Sequence, residues 1–281
     1  MELPEVEVLR RDLEKEATGR RIESAEVRSS KNSMKLISRH HRTRKDFTKR
    51  LEGRKFVRVE RRGKYLILVT DDDQALVVHF GMSGRFLKGT KRQELDQHTH
   101  VYMEFARGGD LRYIDPRALG RLFVVPVEEL GSVRELQRVG VDPLEHSFTW
   151  PQFSEALAAR KMKLKQLLMD QEFISGLGNI YSDEVLFAAG LRYDRRSDDL
   201  SSQEVRRLYR AIQETVQEAI RDRGTTLEDE AYLDLFGKPG DHRDNLNVYG
   251  RKGLPCRRCR TPIETVRISN RGAYYCPVCQ T

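Results

Sequence analysis

Cys256, Cys259, Cys276 and Cys279 are all four cysteines of a 281-residue chain, and they form two CxxC pairs with sixteen residues between them. Crowded near one end of a chain without a secretory start, such pairs read as a metal site rather than a disulfide framework. The spacing fits two β-hairpin knuckles that hold one tetrahedral Zn²⁺ through four thiolates. Four protein ligands leave no open coordination position, so this zinc is expected to be structural. Arg257, Arg258, Arg267 and Arg271 make the ribbon basic. A charged finger tip suits a DNA groove, and solvated surface arginines are the plainer alternative.

The other end of the chain offers a nucleophile. Glu2 and Glu5 set two carboxylates beside the terminal amine of Met1. An α-amine has a pKa of about 7.7–8.0 against about 10.4 for Lys, so roughly a tenth of it is neutral at pH 7. Such an amine can attack an aldehydic sugar carbon, and a nearby carboxyl can supply the proton that opens the ring. Chain ends are also commonly frayed and inert.

Four turns between these ends carry polar groups. Gly176-Leu177-Gly178-Asn179 lets backbone approach a phosphate, with a helix N-terminus behind it. Arg61-Arg62-Gly63-Lys64 places a cation at a tight turn. His79-Phe80-Gly81-Met82-Ser83-Gly84 and Asp115-Pro116-Arg117-Ala118-Leu119-Gly120 display a Met, an Arg and a Leu on loop tips, which suits insertion into a base stack. Taken singly, each is also an ordinary packed turn.

These groups need elements to hold them. A first helix is read from Pro4 and from Val6, Leu9 and Leu13 at helical spacing, ending near Gly19. From about Ile22 to Val125 the texture is that of strands, among them 56–59, 65–69, 75–78, 101–105 and 122–125. They predict a mostly antiparallel β region of two packed sheets. The very basic span Ser29–Arg50 is expected to be a mobile loop. After Gly140 the pattern turns helical. Thr149 is placed to cap one helix that begins with Pro151. Ser201 and Glu204 form a capping box before Val205, Leu208, Ile212, Val216 and Ile220. Residues 225–247 read as a long loop able to fold over a ligand.

Composition sets outer bounds. The net charge of +8 attracts polyanions, and 38% hydrophobic residues support globular domains. No apolar run is long enough to span a bilayer, and Met1–Glu5 lacks the basic start and apolar core of a signal peptide. The chain is therefore expected in the cytoplasm, with no membrane partner.

In combination the motifs resemble the formamidopyrimidine-DNA glycosylase family, also called Fpg/Nei. Glu2-Leu3-Pro4-Glu5-Val6-Glu7 is similar to its opening signature. Arg62-Gly63-Lys64-Tyr65, His79-x-Gly81-Met82-Ser83-Gly84, His98-Thr99-His100, Asp115-Pro116-Arg117, Gly178-Asn179-Ile180-Tyr181 and the four cysteines follow in family order. The resemblance covers essentially the whole chain. It implies an α+β multidomain fold: an N-terminal β-sandwich with an N-terminal helix (1–135), a helical helix–two-turn–helix domain (136–245) and a C-terminal β-hairpin zinc finger (246–281). It also implies a bacterial, nucleoid-associated monomer acting on damaged double-stranded DNA.

Family chemistry implies the roles. The residue-1 amine attacks C1′ to give a Schiff base, and β,δ-elimination nicks the strand after an oxidised purine, such as 8-oxoguanine or a formamidopyrimidine, is flipped out and removed. Catalytic residues are then Met1, Glu2 as general acid, Glu5 and Lys64. DNA contacts fall to His79, Met82, His98, Arg117, Leu119, Asn179 and Arg271, with Met82 and Arg117 filling the vacated space. The loop after Gly224 resembles the purine-specific branch. Two positions depart from the pattern. The family proline is absent, so Met1 offers a primary amine in its register, and Leu119 stands where an aromatic is usual. These departures keep open a catalytically impaired lesion-binding protein, beside a glycosylase for oxidised pyrimidines and a zinc-ribbon binder without lesion preference.

Overall fold

The computed structural model describes residues 1–90, 92–268 and 270–281. They fall into two compact units. The first comprises Met1, Glu5–Gln137 and Arg223–Asp241; the second comprises Glu2–Pro4, Arg138–Asp222 and His242–Thr281.

In chain order the first unit is built from α1 (Leu3–Glu16, its first two residues belonging to the second unit), β1 (Ile22–Val27), α2 (Lys31–Ile37), α3 (Arg44–Thr48), β2 (Phe56–Arg62), β3 (Tyr65–Thr70), β4 (Gln74–His79), β5 (Arg85–Gly89), β6 (Thr99–Phe105), β7 (Asp110–Ile114), β8 (Arg121–Pro126) and α4 (Arg134–Gln137). The strands form two four-stranded antiparallel sheets, ordered β1-β6-β7-β5 and β2-β3-β4-β8. Period-two alternation explains the layers. Leu66, Leu68, Leu76, Val78, Leu122 and Val124 face the core shared with Phe86, Val101, Met103 and Tyr113 of the other sheet. Their neighbours Ile67, Val69, Val77 and Phe123 point the other way, onto Val133 and Leu136. Both faces of this sheet are covered, so β3, β4 and β8 are apolar at nearly every position. Each such side chain contributes about 1.5–3 kcal/mol on burial. Helix α1 presses Val6, Leu9 and Leu13 into the same core, as their spacing requires.

The span Ser29–Arg50, expected as a mobile loop, is ordered instead. Ser30 and Thr43 cap α2 and α3, accepting from Ser33 N at 2.9 Å and Asp46 N at 3.1 Å. Leu36, Ile37 and Phe47 are buried and anchor both helices. A few apolar side chains outweigh the mutual repulsion of the flanking cations. Residues 223–241 form a packed loop: Leu235 is in the core, Asp234 accepts from Phe236 N and Lys238 N at 2.9 Å each, and Thr226 Oγ1 accepts from Gly240 N at 2.8 Å.

The second unit contains α5 (Trp150–Ala158), α6 (Leu164–Leu168), α7 (Asn179–Ala189), α8 (Ser202–Arg221) and the hairpin β9 (Glu264–Ile268) and β10 (Arg271–Tyr275). The Ser201–Glu204 capping box is present; Thr149 occupies the N-cap position of α5, but its side chain makes no capping bond and its Oγ1 donates to Gln152 Oε1 at 3.0 Å instead. Val205, Leu208, Ile212, Val216 and Ile220 are the buried face of α8. Among the described residues, no helix is long and apolar enough to cross a membrane.

Candidate functional site

In the first unit the Met1 amine donates to Gly81 O at 3.4 Å. His79 ends β4, its ring 4.8 Å from that of Tyr65. Gly81 N donates to His79 Nδ1 at 3.2 Å. Burial and the positive charges of Lys64, the Met1 amine and Arg121 push this imidazole down to about 4. His79 is therefore neutral at pH 7, and with Nδ1 accepting, its proton sits on Nε2, which becomes a hydrogen-bond donor. Lys64 is half-buried in the turn between β2 and β3. Its neighbour Arg61 is structural: it lies buried on Glu7 at 3.0 Å, and Arg10 and Arg11 donate to the same carboxylate. Glu5 is buried and accepts from Thr225 N at 3.0 Å, which fixes it to the start of the packed loop.

The loop tips are held by one carboxylate. Asp115 is fully buried and accepts from Ser83 Oγ at 2.6 Å, Leu119 N at 2.9 Å and Gly120 N at 2.8 Å. Arg117 N donates in turn to Ser83 Oγ at 3.2 Å. This ties the turn of Met82 to the turn of Arg117 and Leu119. All three side chains are exposed, Met82 by 59% and Leu119 by 42%, against the rule that large apolar groups are buried. His98 is half-buried and its carbonyl accepts from Asp115 N at 3.0 Å. His100, two residues on, is buried between Ser33 Oγ and Asp115 O, each at 2.9 Å.

In the second unit Glu2 caps α7. Its carboxylate accepts from Gly178 N at 2.6 Å, Ile180 N at 2.9 Å and Tyr181 N at 3.3 Å, three amides that a helix start leaves without partners. Asn179 is the first residue of α7, and its Oδ1 is buried with no hydrogen-bond partner. A buried amide oxygen left open in the protein is a group that a ligand or water can complete. Arg271 is exposed at the start of β10.

Sequence reading missed the groups that fix this helix. Lys165 is buried and donates to Asn179 O at 2.9 Å, Ser182 Oγ at 2.9 Å and Asp183 Oδ1 at 2.8 Å. Asp183 Oδ2 accepts from Tyr274 N on β10 at 3.0 Å, and Glu184 accepts from Asn247 N, Val248 N and Tyr249 N. Burial pushes the Asp183 carboxyl up to about 7 against the pull of Lys165, and pushes Lys165 down. The signal was present in sequence: Ser182-Asp183-Glu184 interrupts an otherwise apolar helix.

The four cysteines converge as their spacing requires, with every Sγ within 4.8 Å of the others. Cys256 and Cys279 are 3.9 Å apart, and Cys259 and Cys276 are 3.4 Å apart. Thiolates about 2.3 Å from a shared tetrahedral ion stand about 3.8 Å from one another, so the donor set fits one structural zinc. Arg258 N and Cys279 N donate to Cys256 Sγ and Cys276 Sγ at 3.4 Å, as metal knuckles do.

The chain is similar to known proteins along its whole length. Residues 1–122 match the formamidopyrimidine-DNA glycosylase N-terminal domain, residues 139–230 the H2TH domain of that enzyme, and residues 253–281 the zinc finger found in FPG and IleRS. The formamidopyrimidine-DNA glycosylase of Pelotomaculum thermopropionicum is 38% identical over 281 residues, covering 99% of this chain and 98% of that protein. The MutM (Fpg) protein of Thermus thermophilus superposes with a TM-score of 0.88 at 37% identity, covering 100% of this chain and 98% of that one. The Lactococcus lactis Fpg in complex with abasic-site-containing DNA gives 0.90 at 32%, covering 100% and 99%. The chain belongs to the formamidopyrimidine-DNA glycosylase family.

Proposed function

We propose that the chain is a bifunctional DNA glycosylase and AP lyase of base excision repair that removes oxidised purines from duplex DNA. The observation that carries this reading is the Met1 amine, held on Gly81 O beside Lys64 and a neutral His79. The amine attacks C1′ of the flipped nucleotide as the glycosidic bond breaks; the base leaves with its electron pair and takes up one of the two protons of the new ammonium. The Glu2 carboxylate accepts the other and delivers it to the ring oxygen as the C1′–O4′ bond breaks, which opens the sugar and leaves the imine. Removal of a C2′ proton then expels the 3′ phosphate, and a second elimination expels the 5′ phosphate. Glu5 and the packed loop flank the lesion. Lys64, His79, His98, Asn179 and Arg271 hold phosphates, His79 by its Nε2–H. Met82, Arg117 and Leu119 occupy the emptied stack. The zinc supplies no step; it fixes the hairpin that carries Arg271.

We place the domain limits at 1–135, 136–245 and 246–281, and the working form as a monomer in the bacterial cytoplasm with the nucleoid. Borohydride trapping on duplex with 8-oxoguanine opposite cytosine tests the reading. An adduct on the N-terminal peptide is expected. Tight damage-specific binding with no adduct would replace it with a lesion-binding protein, the reading that Met1 in place of proline favours.

A further inference from the structure

The positive charge of the chain is concentrated in one segment. From Arg28 to Lys55 there are eleven basic and two acidic residues, a net +9, while the whole chain carries +8. Everything outside this segment sums to −1. Lys31, Lys35, Arg42, Arg44, Lys45 and Lys49 are exposed and, among the described residues, engage no carboxylate.

Their placement opposes local stability. Lys31 opens α2 and Arg44 opens α3, the helix end where the backbone dipole disfavours cations. Lys31 and Lys35 stand four residues apart, so like charges share one face. The platform beneath is anchored by the Ser30 and Thr43 caps and by the buried Leu36, Ile37 and Phe47. It also continues from the site. Arg39 reaches Glu135 at 3.3 Å, Glu135 lies 4.0 Å from Arg121, and Arg121 pairs across the sheet with His79.

We infer that α2 and α3 form a second contact surface for the phosphodiester backbone, on which the duplex flanking the lesion runs outward from the His79 rim. This rests on the glycosylase reading for the identity of the DNA. An anchored face of unpaired cations, continuous with phosphate-holding residues, is completed by an external polyanion of matching reach.

The test is a variant with Lys31, Lys35, Arg42, Arg44, Lys45 and Lys49 all changed to Gln, and a milder K35Q/K45Q variant. Thermal melting checks the fold of each. Affinity for lesion duplexes of about 12 and about 30 base pairs is measured across a salt series, and single-turnover borohydride trapping at saturating protein is measured beside it. Each lost phosphate contact lowers the slope of log affinity against log salt by about 0.9. The sixfold variant is expected to lose at least tenfold in affinity on the long duplex and less than twofold on the short one, with trapping unchanged. The milder variant is expected to lose up to two contacts of slope. An unchanged slope on the long duplex overturns the proposal. Equal losses at both lengths overturn it too, since they indicate a diffuse field rather than a flank contact. Two duplexes bound per protein would also overturn it, by assigning the surface to a separate DNA. If the wild type fails to trap yet shows the length-dependent loss, the contact surface stands and the lyase reading falls.

Discussion

The β-sandwich and the zinc hairpin are both antiparallel sheet, and they are held by opposite means. In the sandwich, β3, β4 and β8 are covered on both faces by apolar side chains. In the hairpin, β9 has no fully buried position and β10 has one, Ala273. Two five-residue strands cannot bury enough surface to stand alone. The hairpin relies on four sulfurs behind it and on Asp183 and Glu184, which receive backbone amides of β10 and of residues 247–249. Where strands are many, burial supplies the stability; where they are two, ligation and buried charge do.

The strongest way to break this comparison is to remove a ligand. Cys276→Ser should lose the zinc, because structural zinc contributes on the order of 10 kcal/mol to small metal-held folds. Zinc stoichiometry should fall from one to near zero, and amide exchange of 251–281 should become fast while β3 and β4 stay protected. Loss of protection in the sandwich as well would show that the two sheets share one means of support. A smaller effect is expected from Asp183→Ala, which strands Lys165 in a buried site. About 3–5 kcal/mol should be lost in urea unfolding, with a Lys165→Met/Asp183→Leu double variant recovering most of it. No recovery would mean that the Tyr274 N bond, not the ion pair, is what matters.

The smallest expected effect concerns pH and the sandwich. His79 is lowered to about 4 in the folded chain from an ordinary value of 6.5. Between those values the unfolded state binds more protons, so stability must fall as pH drops from about 6.5 through about 4. In His79→Gln the urea midpoint of the sandwich should depend less on pH over that window. An identical pH profile in the variant would mean that the ring is not held neutral.

What the sequence revealed follows the same division. Strands β3, β4 and β8 were legible because burial on both faces leaves continuous apolar runs. Strand β7 was not read as a separate strand, because Arg112 sits in its centre. That guanidinium is buried, donating to Asp110 and to the carbonyls of Thr90, Gln93 and Glu94, a satisfaction no local pattern announces. The cysteines were legible because thiolate spacing around a small ion is rigid. The cradle of Asp115 and the clasp of Lys165 were not, because their partners lie far along the chain. Helices α2 and α3 were hidden by their own charge.

The turn that carries Arg117 and Leu119 also limits how this protein can vary. A side chain on Gly81 would meet Leu119 O at 2.7 Å, and one on Gly120 would collide with Tyr113. Asp115 grips the backbone amides of Leu119 and Gly120 and leaves the Leu119 side chain exposed. The two glycine positions are thus closed to substitution, while the identity of the side chain at position 119 is open. The side chain at position 119 can therefore change without any redesign of the loop that carries it, because what holds that loop is its backbone.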